Sequence, residues 1–174
     1  IQINPLSIEP DFILVSHDHQ DHLGDTINIA KSSNCDVFCI FDLAQELSKY
    51  KIRVTGGNIG GTIKYKHLEI TFVKAEHSSK AGVCVGYFIK TKNKTIYFAG
   101  DTGVFYDMTI IKELYHPEIA FLPIGGIYTM DPKQAAYAIT LLEPKVIVPM
   151  HYDTFDVLTG TPKQLQDLIK LQKI

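Results

Sequence analysis

VSHDHQDHLGD, residues 15–25, places three histidines and three aspartates within eleven positions, directly behind an apolar run that ends at Val15. In an extended segment successive side chains alternate, so the imidazoles of His17 and His19 point the same way and can share one ion. Asp21 and His22 follow where the chain begins to turn into a helix. Their side chains can reach a second ion a few ångströms away. Neutral imidazole together with carboxylate suits zinc, and also manganese or iron.

Around this stretch, apolar runs of strand length alternate with amphipathic stretches of helix length, which predicts an α/β domain. Strands are expected at Asp11 to Ser16, Asp36 to Phe41, Thr62 to Lys66, Leu68 to Ala75, Val83 to Lys90, Thr95 to Ala99, Glu118 to Pro123 and Lys145 to Met150. Helices are expected at His22 to Ser33, Asp42 to Tyr50, Phe105 to Tyr115, Asp131 to Leu142 and Thr161 to Gln172. The turn TKNK, with Asn93 available for positive φ, predicts a hairpin and therefore a mixed sheet. DPKQ at Asp131 and TPKQ at Thr161 carry the pattern of a helix start with a capping box. GGNIGG, Gly56 to Gly61, reads as a tight loop, and without a following Gly-Lys pair it is not a phosphate cradle.

On this map the remaining candidate ligands fall in one kind of place. His17, His77, Asp101 and His151 each follow the C-terminal end of a different apolar strand, where sheets of this kind gather ligand sites. Asp101, between Gly100 and Gly103, is the natural bridge between two ions, because the glycines let the backbone turn and approach closely. Five of the seven histidines are thereby used; His67 and His116 are expected on the surface. Asp18 and Asp25 are expected outside the ligand set, facing solvent or supporting a helix start. Ser78, Ser79, Thr102, Tyr128 and Tyr152 lie close enough in sequence to serve the surroundings of the site.

Composition narrows the function classes. The chain has 174 residues, 45% hydrophobic and 21% charged, which suits a single domain over 1–174 with a substantial core. Seventeen basic and nineteen acidic residues give a net charge of −2 with no run of like charges, so nucleic acid is not indicated as a partner. No apolar stretch approaches the roughly 20 residues of a membrane span. Cys35, Cys39 and Cys84 sit inside apolar runs and read as buried free thiols of a reducing, cytoplasmic compartment.

The blocks HDHQDH at His17 to His22, AEHSS around His77, IYFAGDTGVF around Asp101, PIGGIYTMDPKQAA from Pro123 and VPMHYDTF around His151 together resemble the metallo-β-lactamase superfamily. More narrowly they are similar to its uncharacterised metal-dependent hydrolase branch, related to the ascorbate-phosphate lactonases. The resemblance covers almost the whole chain and implies a four-layer αββα sandwich with a dinuclear site at one edge between two mixed sheets. It implies that His17, His19 and His77 hold the first metal, that Asp21, His22 and His151 hold the second, and that Asp101 bridges them.

Three departures accompany the likeness. Relatives usually carry a further strand pair before the segment matching IQINP, so the chain is expected to lack the first N-terminal strands of the fold. Gly126 stands where this branch commonly has aspartate, and Gln20 where glycine or alanine is frequent. The implied activity is that of a hydrolase with two divalent ions, zinc first, whose bridging hydroxide cleaves an ester, lactone, amide or phosphodiester bond in a small-molecule substrate. Asp21 is placed to orient that hydroxide or pass a proton to the leaving group. The alternatives are a metal-binding or interaction protein without turnover, or a diiron redox protein. The latter is disfavoured because His19 stands where such proteins have a carboxylate.

Overall fold

The computed structural model describes residues 4–172, which build two β-sheets. The smaller is wholly parallel, in the order β1 (Phe12–Val15), β2 (Asp36–Ile40) and β3 (Arg53–Gly57). The larger is mixed, running β4 (Thr62–Tyr65), β5 (Leu68–Lys74), β6 (Val85–Lys90), β7 (Thr95–Phe98), β8 (Ile119–Pro123) and β9 (Val146–Met150). The helices are α1 (Gln20–Leu23), α2 (Thr26–Ser33), α3 (Phe41–Leu47), α4 (Met108–Tyr115), α5 (Pro132–Leu142) and α6 (Pro162–Gln172).

Alternation of side chains along each strand sends the two faces of the larger sheet into two cores. Ile70, Phe72 and Tyr87 pack in one core with Phe38 and Ile40 of the smaller sheet, a core that also takes in Val37 and, from α2 and α3, Ala30, Leu43 and Leu47. On the other face Val73, Phe88 and Tyr97 pack with Met108, Ile139 and Leu165 from α4, α5 and α6. The large side chains of both cores are essentially inaccessible.

Strand direction decides where the site can form. β5 and β7 are each antiparallel to β6, and β7, β8 and β9 are mutually parallel, so β5, β7 and β9 all end at the same edge of the larger sheet. The end of β1 is pinned to that edge from the other sheet. The buried Tyr87 hydroxyl donates to the Val15 and Phe38 carbonyls at 2.6 and 3.2 Å, and the Val85 amide donates to the Ser16 carbonyl at 3.0 Å.

Several expectations need correction. Arg53–Gly57 is a strand, and Gly56 and Gly57 belong to it, not to a loop. Their lack of side chains is a packing requirement: a Cβ on Gly57 would sit 2.3 Å from the Phe72 ring, and one on Gly56 2.8 Å from the Phe41 Cα. The single helix expected from His22 to Ser33 is two, beginning at Gln20 and interrupted at Gly24, whose φ of +42° ends α1. The β6–β7 hairpin forms, but Asn93 is not among the positive-φ residues; the Thr91 hydroxyl closes the turn by accepting from the Asn93 and Lys94 amides.

Both helix starts are capped. Asp131 accepts from the Gln134 amide at 2.8 Å, while Thr161 and Gln164 exchange bonds in both directions at 3.3 and 2.8 Å. The three cysteines are buried and unpaired, and burial pushes the thiols of Cys39 and Cys84 up to about 12.

Candidate metal centre

The loops that leave β1, β5, β7 and β9 bring all seven candidate ligands together. The donor atoms form three overlapping groups, each lying within 4.8 Å: His17, His19 and His77; His17, His22 and Asp101; and Asp21, His22 and His151. In the first group the His17 Nε2 and His19 Nδ1 are 2.9 Å apart, and His77 Nε2 lies 3.3 Å from that same His19 nitrogen. In the last group Asp21 Oδ2 is 3.3 Å from His22 Nε2 and 3.6 Å from His151 Nε2.

Asp101 lies between the groups. Its Oδ2 is 3.3 Å from the Nε2 atoms of both His22 and His151 and 3.6 Å from that of His77. The residue is only 3% exposed, and its Oδ1 has no hydrogen-bond partner. His22 Nε2 is likewise buried without a hydrogen bond, since the nearby carboxylates lie at hydrogen-bonding distance but out of line. Buried polar atoms left unsatisfied are costly, and a cation among these donors would satisfy them. The donor chemistry therefore fits metal ions.

Charge at the site favours the same occupancy. Burial, reinforced by the neighbouring imidazole of His22, pushes the His17 pKa down to about 4, so its lone pair is available at neutral pH. Burial also lowers His77. For Asp101 burial works toward protonation, but His22, His151 and His77 outweigh it and hold the carboxyl below its ordinary range. The reverse applies to His22, where burial is outweighed by the Asp101 and Asp21 carboxylates and the pKa rises. Ser16 orients the rings from behind, its hydroxyl lying 3.0 Å from His17 Nδ1 and 3.4 Å from His22 Nδ1.

The surrounding residues divide differently from expectation. Asp18 does not face solvent. Its carboxylate accepts from the Ser79 hydroxyl and the Lys80 amide through Oδ1, at 3.1 and 3.0 Å, and from the Ala81 amide through Oδ2 at 3.0 Å. It thereby ties the His17–His19 loop to the segment that follows His77. Burial opposes its ionisation, but these bonds outweigh it and hold the pKa below the usual carboxylate value.

Asp18→Ala should weaken binding at the His17, His19 and His77 position about 10–100-fold, as outer residues that orient ligands do. Competition with a chromogenic chelator measures this; unchanged affinity would show that the loop holds itself in place.

Gly100 makes the sharp turn ascribed to it, with φ +63° and no room beside the Val85 carbonyl. Gly103 does not: its φ is ordinary and a Cβ there would meet nothing closer than 4.0 Å. Thr102 accepts from the Glu76 amide at 2.9 Å, steadying the residue before His77. Tyr152 packs against the helix-side core instead of the site, whereas His67 and His116 are exposed as expected. Gly126 adopts φ +80°, a conformation suited to glycine. Above the ligands opens a cavity of about 620 Å³, lined also by Ser78, Tyr128, Phe155, Asp156 and Val157. Of the last three, Phe155 closes the VPMHYDTF block without a role ascribed to it, and Asp156 and Val157 carry no periodicity or motif.

Comparison with known proteins places the chain. Residues 4–152 match the beta-lactamase superfamily domain. A UPF0173 metal-dependent hydrolase of Caldivirga maquilingensis is 48% identical over 161 residues, covering 91% of this chain and 71% of the relative. The structure of Igni18, a metallo hydrolase from Ignicoccus hospitalis, superposes with a TM-score of 0.90 at 38% identity, covering 95% of this chain and 73% of that one. CmlA, a diiron beta-hydroxylase of Streptomyces venezuelae, shares the fold at a TM-score of 0.79 but only 13% identity, covering 94% of this chain and 43% of its own. The chain belongs to the beta-lactamase superfamily and, within it, to the UPF0173 metal-dependent hydrolase family. Among the described residues no helix is long and apolar enough to cross a membrane.

Proposed function

We propose that residues 1–174 form one dinuclear metal-dependent hydrolase domain on a four-layer αββα sandwich, acting on a small-molecule substrate in the cytoplasm. The observation that carries the reading is the convergence of five imidazoles and two carboxylates, with unpartnered buried atoms among them, beneath an open cavity. In this reading His17, His19 and His77 hold one ion, Asp21, His22 and His151 the other, and Asp101 is shared. Zinc suits these donors first, with manganese or iron as alternatives.

When bound, two such ions supply a water acidified to a pKa of about 7 and a Lewis acid for the substrate oxygen. The chain's own residues do the rest. Asp101, buried and held ionised, keeps the two ligand groups in register through its single Oδ2 contact point. Ser16 restrains His17 and His22 at Nδ1 so that their Nε2 atoms face inward. Asp21 is 44% exposed at its side chain and lines the cavity, where its carboxylate can orient the attacking water or carry a proton to a departing alcohol or amine. Ester, lactone, amide and phosphodiester bonds all fit this machinery.

Zinc-loaded protein should turn over at least one member of a panel comprising a nitrophenyl ester, a simple lactone, an anilide and bis-nitrophenyl phosphate, and a chelator should stop it. A protein carrying its full metal complement that cleaves none of these bond types would overturn the hydrolase reading.

A further inference from the structure

Resting on the hydrolase reading above, we infer that the substrate carries an apolar group free of negative charge next to the bond that is cleaved. The inference comes from the cavity wall opposite the ligands. Tyr128, Phe155 and Val157 line it while remaining 55%, 46% and 47% exposed. Large apolar side chains left in water beside a metal centre contribute little to the fold, and their burial by a ligand favours binding.

The two loops that carry this wall are fixed to each other. The Gly160 amide donates to the Gly125 carbonyl at 3.1 Å, and the Ile124 amide to the Met150 carbonyl at 3.0 Å. The bases of the two loops that carry the apolar surface are thus tied together.

Charge selects in the same direction. Apart from the ligands, Asp156 is the only charged residue lining the cavity; no lysine or arginine does so among the described residues. Lys80 lies in an adjoining hollow with Asp18, Gln20 and Leu23. A carboxylate or phosphate on the substrate remote from the reacting bond would meet Asp156 with no cation of the chain to receive it. A neutral or cationic group meets no such opposition.

The test uses the zinc-loaded chain and nitrophenyl esters of acetate, butyrate and hexanoate, together with hexanoate-length esters ending in carboxylate or trimethylammonium. kcat/KM is expected to rise about tenfold per pair of methylenes buried against the wall. The carboxylate-ended ester should be about tenfold slower than its neutral counterpart and the trimethylammonium ester at least as fast as the neutral one. Asp156→Asn should narrow the spread between charged tails, and Phe155→Ala combined with Val157→Ala should flatten the length series.

A flat length series in the parent protein, or a carboxylate tail that is favoured, would overturn the inference. Binding of 2-butanone and 2-octanone, followed by NMR, separates this outcome from failure of the hydrolase reading, because neither ketone is hydrolysed. If no member of the ester, lactone, anilide and phosphodiester panel is cleaved but octanone still binds more tightly than butanone and loses that advantage in the double variant, the apolar wall stands and the hydrolase reading fails. Equal binding of the two ketones removes the wall.

Discussion

Asp101→Ala should lower kcat/KM by at least about a thousandfold, equivalent to losing roughly 4 kcal/mol of stabilisation where charge develops at the reacting centre. The size of the effect follows from position. One oxygen of this carboxylate lies within 3.3–3.6 Å of imidazoles that belong to both ligand groups, so its removal disconnects them. The variant should also lose the extra thermal stability that metal confers on the parent, because that increment depends on affinity for the folded state. Without metal Asp101→Ala should melt somewhat below the parent, because the ionised carboxylate faces His22, His151 and His77 in the fold, so the loss of metal is read from the metal-dependent increment in Tm and not from the starting Tm. Asp101→Asn, which keeps the shape but not the charge, should fall between the two in activity. Parent-like turnover in Asp101→Ala would mean that the carboxylate does not join the two groups.

Gly125→Ala should act on the same centre from the backbone. A Cβ there would lie 2.2 Å from the His151 carbonyl oxygen and 3.2 Å from the Leu158 side chain. His151 is already held at φ +52°, so its backbone has little freedom to yield. Overpacking of this kind costs about 1–3 kcal/mol, which in a domain of this size lowers Tm by roughly 5 °C. The displaced ligand adds a functional loss, because a misplacement of about 1 Å can cost a hundredfold in rate. Gly103→Ala, where the added methyl meets nothing within ordinary contact, should leave stability nearly unchanged. Equal melting temperatures for Gly125→Ala and the parent would show that the loop shifts freely and that glycine is not required there.

Much of this was readable from residue order because the ligands obey local rules. His17, His77, Asp101 and His151 each come one to three residues after the end of a strand, and the apolar runs that mark those strands are plain in the sequence. The likeness of the motif blocks then implies a partition of the ligands that spacing alone leaves open. What stayed hidden depends on contacts between distant segments. β3 was missed because Arg53–Gly57 has two glycines and little apolar character, and its identity as a strand comes from parallel pairing with β2 and from the Phe72 ring lying against Gly57. Asp18 reads in the sequence as a solvent-facing or helix-start residue because its three donors come from residues 79–81, more than sixty positions away. Phe155, Asp156 and Val157 are exposed, so no burial pattern marks them, and only the cavity reveals that they face the ligands.

The proposed centre holds two ions on seven side chains, and elemental analysis of protein purified without chelator reads their number. About two divalent ions per chain are predicted, falling toward one or none in Asp101→Ala. A folded parent protein that binds no metal even after incubation with zinc, manganese or iron, or that saturates at a single ion, would contradict it.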